Sequence, residues 1–204
     1  FDSEVTGAWS VDESDLSSTW REVEAVYRVL QSNVGELKGK NVTVKTDNKN
    51  VSQILLNGSK KTHLHSVCLE VDNICNSNEI ALQTDWIPRS ENDHADMLSR
   101  CCDSDDWSMK EWIFHTLDIM WGPHTIDRFA CDYNTKCKKF NSRFWSPGTC
   151  GIDAFKQSWV GEVNWLVPPP ILINRCIDKI KREKCRCTLL LPKWTSAPFW
   201  PSIF

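Results

Sequence analysis

The sequence has no apolar run long enough to cross a membrane, and no apolar leader follows its first residues, Phe1-Asp2-Ser3-Glu4. It therefore predicts a protein that is not secreted and makes no membrane contact, with an intracellular location in the cytoplasm or nucleus. An initiator methionine is also lacking, which indicates a fragment or a processed piece. The net charge of -3 excludes a general basic surface. Any binding of nucleic acid would therefore use a local basic patch or depend on neighbouring domains.

Zinc-finger spacing is lacking as well. The ten cysteines include no Cys-x-x-Cys pair, and Cys101-Cys102 and Cys185-Arg186-Cys187 are too close to act as paired zinc knuckles. Without a secretory signal, the sequence favours reduced thiols in an intracellular protein.

The composition changes near residues 101–107, from an αβ-rich segment to a segment rich in tryptophan and proline. We therefore predict one domain over residues 1–100, a linker over 101–110 and a second α/β region over 111–204. With 41% hydrophobic residues the chain can form a buried core, in one large domain or in two small ones.

Periodicity predicts the elements of the first segment. A strand edge is predicted at residues 7–10. A helix then begins at residues 16–19 and presents one apolar face. Further elements are a strand at 41–47, helices at 48–56 and 64–74, a strand at 79–87 and a short helix around Asp96. The apolar face of the first helix consists of Val23, Val26, Tyr27 and Leu30, and that of the 64–74 helix of Leu64, Val67, Cys68, Val71 and Ile74. This order implies a mixed sheet with helices packed on it.

Three carboxylates stand where such elements begin or end. Glu22 opens the first long helix, Asp47 ends the strand Val42-Thr43-Val44-Lys45-Thr46, and Asp96 lies in the first turns of the short helix. Acids brought together from a strand end and two helix starts can hold two divalent cations on a phosphodiester. The arrangement therefore points to phosphoryl chemistry on nucleic acid.

Three motifs occur in order. They are Arg21-Glu22-Val23-Glu24-Ala25-Val26, Thr46-Asp47-Asn48 and Trp86-Ile87-Pro88-Arg89-Ser90-Glu91-Asn92-Asp93-His94-Ala95-Asp96-Met97-Leu98-Ser99-Arg100. Together they resemble the ribonuclease H domain of retroelement polyproteins, and most closely that of DIRS-type retrotransposons, which move through a tyrosine recombinase. The resemblance covers roughly the first 100 residues.

The resemblance implies a ribonuclease H-like fold and an endonuclease that cuts the RNA strand of RNA–DNA hybrids. It assigns Glu22, Asp47 and Asp96 as catalytic residues and as ligands of Mg²⁺ or Mn²⁺. The implied partners are the RNA–DNA hybrid, an upstream reverse transcriptase and a downstream tyrosine recombinase of the same polyprotein.

One family feature has no counterpart in this sequence. The family's first Asp stands on its first strand, and neither Asp2 nor Asp12 lies in such a strand. The expectation is a domain with its first strand missing, which does not cut RNA alone. The alternative is a non-catalytic or domesticated remnant that binds nucleic acid or protein.

Each acid also has a purely structural interpretation. Glu22 fits the capping-box spacing with Thr19, and Asp47 fits a helix N-cap before Asn48. Asp96 fits a solvated helix acid paired with Arg100.

The second segment is predicted to contain a short helix at residues 112–117, strands at 125–130, 163–167 and 188–192, and a helix at 171–184. The 163–167 strand, the helix and the last strand form a βαβ unit. Eight of the eleven tryptophans lie after residue 100. We predict that they form a core, and stacking on single-stranded nucleic acid is the alternative.

Asp127-Arg128-Phe129-Ala130 with Asn134, Asp153-Ala154-Phe155, Trp159 and the prolines after Val167 resemble the region that follows ribonuclease H in DIRS-type elements. That region is similar to phage-type adenine-N6 DNA methyltransferases. The resemblance implies S-adenosylmethionine as a cofactor, bound near Asp127, Pro168 and Pro169. However, Val167 and Pro170 replace the polar residue and the aromatic residue that hold a flipped adenine in such enzymes, and no glycine-rich loop is present. A βαβ scaffold whose prolines stop a strand is the alternative.

Overall fold

The computed structural model describes residues 4–100 and 109–203, with the side chain of Arg100 excluded. The chain divides into two compact units, Phe1–Cys101 and Cys102–Phe204. Each is an α/β unit in which all described strand pairs are parallel. The α/β class is as predicted. Residues 101–108, which hold most of the predicted linker, lie outside the described part.

The N-terminal unit begins with two helices, α1 (Val11–Ser14) and α2 (Ser18–Leu37). Residues 7–10 form no strand, so the prediction of a strand edge there was wrong. The predicted face of α2 is confirmed: Val23 and Leu30 are buried, and Val26 and Tyr27 pack against the core.

The N-cap of α2 differs from the prediction. Ser17 caps the helix by accepting a hydrogen bond from the Trp20 backbone N–H, so the capping box between Thr19 and Glu22 was wrong. The run Leu16-Ser17-Ser18-Thr19 offers three hydroxyl residues of similar capping ability, and spacing alone does not choose between them. A capping box does occur one helix earlier, between Ser10 and Glu13.

The rest of this unit is a β–α–α–β arrangement. Strand β1 (Asn41–Thr46) leads to α3 (Lys49–Asn57), α4 (Thr62–Ser77) and strand β2 (Ala81–Trp86). The strands pair in parallel, from Asn41 opposite Ala81 to Thr46 opposite Trp86. A single turn of 3-10 helix (Arg89–Glu91) and helix α5 (Asp93–Arg100) follow.

The core of this unit lies between the three long helices and the sheet. All five residues predicted for the apolar face of α4 are buried, and Val51 and Leu55 of α3 join them. A parallel pair places the carboxyl ends of both strands at one edge. Consequently Asp47, which follows β1, lies near the segment that follows β2.

The C-terminal unit contains a four-stranded parallel sheet in the order β4-β3-β5-β6. Its strands are β3 (Ile126–Asp127), β4 (Lys139–Phe140), β5 (Val163–Leu166) and β6 (Arg186–Leu189). Its helices are α6 (Glu111–Trp121) and α7 (Ile173–Glu183). Short 3-10 turns occupy Ala154–Lys156, Pro170–Leu172 and Trp200–Ile203. The β5–α7–β6 unit is the predicted βαβ unit.

The prediction of a tryptophan core holds only in part. Trp159 and Trp165 are fully buried, whereas Trp112, Trp121 and Trp194 are more than half exposed. The eight cysteines in the described residues form no disulfide bond with one another. No helix of the described residues is long and apolar enough to cross a membrane.

Candidate functional site

Glu22 and Asp47 come together at the carboxyl edge of the β1–β2 sheet. Glu22 lies in the second turn of α2 and is partly buried. Burial raises the pKa of Glu22, a hydrogen bond from Asn48 opposes this change, and the negative charge of Asp47 raises the pKa further. The two carboxylates therefore interact electrostatically.

Two asparagines hold these acids. Asn48 donates from Nδ2 to Glu22 Oε1 at 3.3 Å, and its Oδ1 accepts the Asn50 backbone N–H at 3.0 Å, which caps α3. Asn48, not Asp47, is therefore the N-cap of α3, and that interpretation of Asp47 was wrong. Asn92 donates from Nδ2 to Asp47 Oδ1 at 2.9 Å.

Asp96 reaches the same edge through α5. Its backbone N–H donates to the Asn92 carbonyl oxygen at 3.0 Å, so Asn92 connects Asp47 to the first turn of the helix that carries Asp96. The carboxylate of Asp96 lies 3.6 Å from Arg89 Nη2 in a solvent-exposed ion pair. The predicted partner Arg100 has its side chain outside the described residues.

The acids do not assemble a complete metal site. Carboxylate oxygens suit Mg²⁺ and Mn²⁺, but within the described part of the chain no group of three or more His, Cys, Asp or Glu side chains is arranged to hold a metal ion. The negative charge of Asp47 acts on Glu22. The carboxylate of Asp96 instead forms an ion pair with Arg89. The described residues alone therefore do not complete the two-ion arrangement that the resemblance implies.

Sequence reasoning missed Asn48, Asn92 and Trp86 as parts of this site. The Trp86 indole Nε1–H donates to the Asp47 carbonyl oxygen at 3.0 Å. Asn92 lies inside the motif that carries Asp96, but its bond to Asp47 joins residues 45 positions apart. No periodic pattern signals such a bond.

In the C-terminal unit, Asp127 ends β3 and is buried. Burial raises its pKa to about 6, although its carboxylate accepts backbone N–H groups from Lys136 at 3.1 Å and Phe129 at 3.4 Å. The carboxylate therefore holds the loop that follows its own strand. Asn134 stabilises the same loop, because its Oδ1 accepts a hydrogen bond from the Cys131 backbone N–H at 2.7 Å.

The cavity beside Asp127 is too small for a cofactor. It is lined in part by Asn134, Trp165 and Val167 and has a volume of about 10 Å³, which is room for one water molecule. Pro168 is fully buried where β5 ends, and the chain turns at Pro169 into the 3-10 turn before α7. Asp127 lines this cavity but Pro168 and Pro169 do not, so within the described residues the predicted group does not surround a single cofactor-sized cavity.

Arg128, which follows Asp127 in the chain, is buried, and no role was predicted for it. Arg128 donates from Nε to Asn164 Oδ1 and from Nη1 to Asn141 Oδ1, both at 2.7 Å, and from Nη2 to the Ser158 carbonyl oxygen at 2.9 Å. Burial lowers the pKa of Arg128. Through these hydrogen bonds the guanidinium joins the end of β3 to β5 and to the loops around them.

The fold defines a chain of two α/β units, and each unit matches a family model. Residues 6–102 match the model of a reverse transcriptase-like family. Residues 99–204, slightly more than half of the sequence, match the DNA N-6-adenine-methyltransferase (Dam) family. The chain belongs to the DNA N-6-adenine-methyltransferase family, with a reverse transcriptase-like, ribonuclease H-like unit preceding that region. Searches of curated proteins and of solved structures gave no significant match.

Proposed function

We propose that this chain is part of a retroelement polyprotein of the DIRS type, with a reverse transcriptase before it and a tyrosine recombinase after it. Its N-terminal unit is the ribonuclease H portion and binds RNA–DNA hybrids. The observation that carries this proposal is the set of hydrogen bonds at the sheet edge: Asn48 binds Glu22, and Asn92 binds Asp47 and connects it to the helix of Asp96. The reverse transcriptase-like match of residues 6–102 supports it.

Glu22, Asp47 and Asp96 are the proposed catalytic and metal-binding acids of the polyprotein. In this chain they do not form a three-ligand group within the described residues. We therefore expect the chain to bind hybrids without cutting them. What its own residues do is specific: Asn48 and Asn92 fix the orientation of two carboxylates, and Trp86 fixes the backbone of Asp47.

The test uses a labelled RNA–DNA hybrid and a double-stranded DNA of the same sequence. The chain is expected to bind the hybrid more tightly, because ribonuclease H-like surfaces recognise hybrids by shape and 2′-hydroxyl groups. Equal affinity for both duplexes overturns the proposal. Incubation with Mg²⁺ or Mn²⁺ is expected to give no cleavage by the chain alone.

A second arm uses the longer protein that includes the preceding in-frame sequence, and its Asp47→Asn variant. Cleavage by the longer protein that the substitution abolishes supports the nuclease assignment. Equal cleavage by both proteins contradicts it. No cleavage by either favours the second candidate, a non-catalytic module that binds nucleic acid or protein. Two observations favour that candidate: the side-chain amides of Asn48 and Asn92 bind the carboxylates of Glu22 and Asp47, and the described residues contain no group of three metal-ligating side chains.

For the C-terminal unit we propose a methyltransferase-family scaffold that does not use S-adenosylmethionine. The small cavity and the engagement of Asp127 with backbone N–H groups support this proposal. Calorimetric titration with millimolar S-adenosylmethionine is expected to give no binding heat. A saturable heat that Asp127→Asn removes contradicts the proposal.

A further inference from the structure

Trp86 is a large aromatic residue at the same edge as the acids, and it is not buried. It is the last residue of β2, and 47% of its surface is exposed. Asp85, which precedes it in the chain, and Lys49, which lies over its ring, are exposed and polar. Exposed polar residues beside the ring favour a polar ligand over the continuous apolar patch that a protein partner would bury.

The ring is held in place rather than loosely exposed. Its indole Nε1–H donates to the Asp47 carbonyl oxygen at 3.0 Å, which satisfies its one polar group. The Lys49 ammonium lies 4.6 Å from the ring centre, at the first residue of α3. A flat aromatic surface and a cation are therefore presented together beside Asp47.

We propose that Trp86 and Lys49 form a nucleotide-contacting platform, with the indole against a sugar or base and the ammonium against a phosphate. Aromatic stacking and phosphate contact are the two interactions with which proteins hold a strand independently of its sequence. This inference rests on the proposed binding of RNA–DNA hybrids and assigns the residues that position the strand.

The competing explanation is that Trp86 only fixes the Asp47 backbone. Two substitutions separate these roles. Trp86→Phe retains a flat ring and loses the indole N–H, whereas Trp86→Leu loses both. If Trp86 is a platform, the Trp86→Phe variant keeps most of the affinity for the hybrid and the Trp86→Leu variant loses it. A purely structural role predicts that both variants lose it equally.

The experiment is fluorescence anisotropy of a labelled RNA–DNA hybrid with the full chain. Trp86→Leu is expected to weaken binding roughly tenfold, and Trp86→Phe less than about threefold. Trp112→Leu is the matched control, because Trp112 is an even more exposed tryptophan in the C-terminal unit. Circular dichroism confirms that each variant is folded.

Lys49→Gln provides an independent arm. It is expected to reduce the slope of log affinity against log salt by about one unit, since one phosphate contact is lost. Lys60→Gln, an exposed lysine just after α3, is expected to leave the slope unchanged.

The outcomes separate this inference from the proposed function. If neither Trp86→Leu nor Lys49→Gln weakens hybrid binding, the platform is overturned and the proposed function stands. Equal losses with Phe and Leu also overturn it, in favour of the structural role. No hybrid binding by the wild-type chain overturns the platform and the proposed function together.

Discussion

Asn92 donates a hydrogen bond from Nδ2 to Asp47 Oδ1 at 2.9 Å, although the two residues are 45 positions apart in the chain. The backbone carbonyl of Asn92 also accepts the N–H of Asp96. One asparagine therefore fixes a carboxylate at the end of β1 and the first turn of α5. This double role makes Asn92 the most informative single substitution in the N-terminal unit.

Asn92→Ala is expected to destabilise the N-terminal unit by about 1 kcal/mol, because a partly buried hydrogen bond to a carboxylate is lost. Asn92→Asp should cost more at neutral pH, since it places a second negative charge beside Asp47, and the extra cost should vanish in acid. Urea unfolding at two pH values measures both effects. Asn57→Ala, which removes an exposed bond to Gln53, is the control and should change stability little.

The titration of Glu22 reports its neighbours directly. Asp47→Asn is expected to lower the pKa of Glu22, because the nearby negative charge is removed, and Asn48→Ala should raise it, because a hydrogen bond to the charged form is lost. NMR titration of the side-chain carboxyl measures both shifts. Glu36→Gln, on the exposed side of α2, should have no effect. A Glu22 titration that is insensitive to Asp47 would show that the two acids are not coupled.

Asp127 gives the C-terminal unit a pH-dependent stability. Its pKa is raised on folding from 3.8 to about 6, so its favourable contribution is fully present below pH 3.8 and is lost as the pH rises to about 6. Asp127→Asn is expected to remove this dependence, while it can still accept the Lys136 N–H. Asp127→Ala should cost about 1–3 kcal/mol, because buried N–H groups lose their acceptor. Urea unfolding between pH 4 and pH 7 checks these expectations, and a wild-type profile equal to that of Asp127→Asn would contradict them.

Arg128 is expected to be among the most sensitive positions of the C-terminal unit. Arg128→Met should destabilise the unit by at least about 3 kcal/mol, because Asn141 and Asn164 lose a buried partner. Arg128→Lys should recover only part of this loss, since an ammonium lacks the fork that reaches three acceptors. Thermal unfolding measures the series. Arg143→Ala, at an exposed position, is the matched control and should change little.

The helices and strands that follow hydrophobic periodicity were predictable. Val23 and Leu30 of α2 and Val67 and Val71 of α4 are spaced for one helical face, and the structure buries them. The N-cap of α2 was not predictable, because adjacent serines and a threonine have similar capping ability.

The candidate site was predictable as a set of acids but not as a geometry. The strand-end position of Asp47 and the helix positions of Glu22 and Asp96 follow from local sequence. The bonds from Asn92 and Trp86 to Asp47 join residues 45 and 39 positions apart, and only the fold brings them together. The guanidinium of Arg128 is a similar case, since arginine is usually exposed and nothing local indicates its burial.

The register of the parallel pair has a consequence for how this chain tolerates change in length. Thr46 stands opposite Trp86, and the Ile87 N–H donates to the Thr46 carbonyl oxygen at 2.9 Å, so the ends of both strands are aligned by backbone bonds. Insertions in the turn between α3 and α4 leave this alignment untouched. A single residue gained or lost within either strand shifts every pair and moves Asp47 away from Trp86 and Asn92. Natural variation in length should therefore concentrate in that turn.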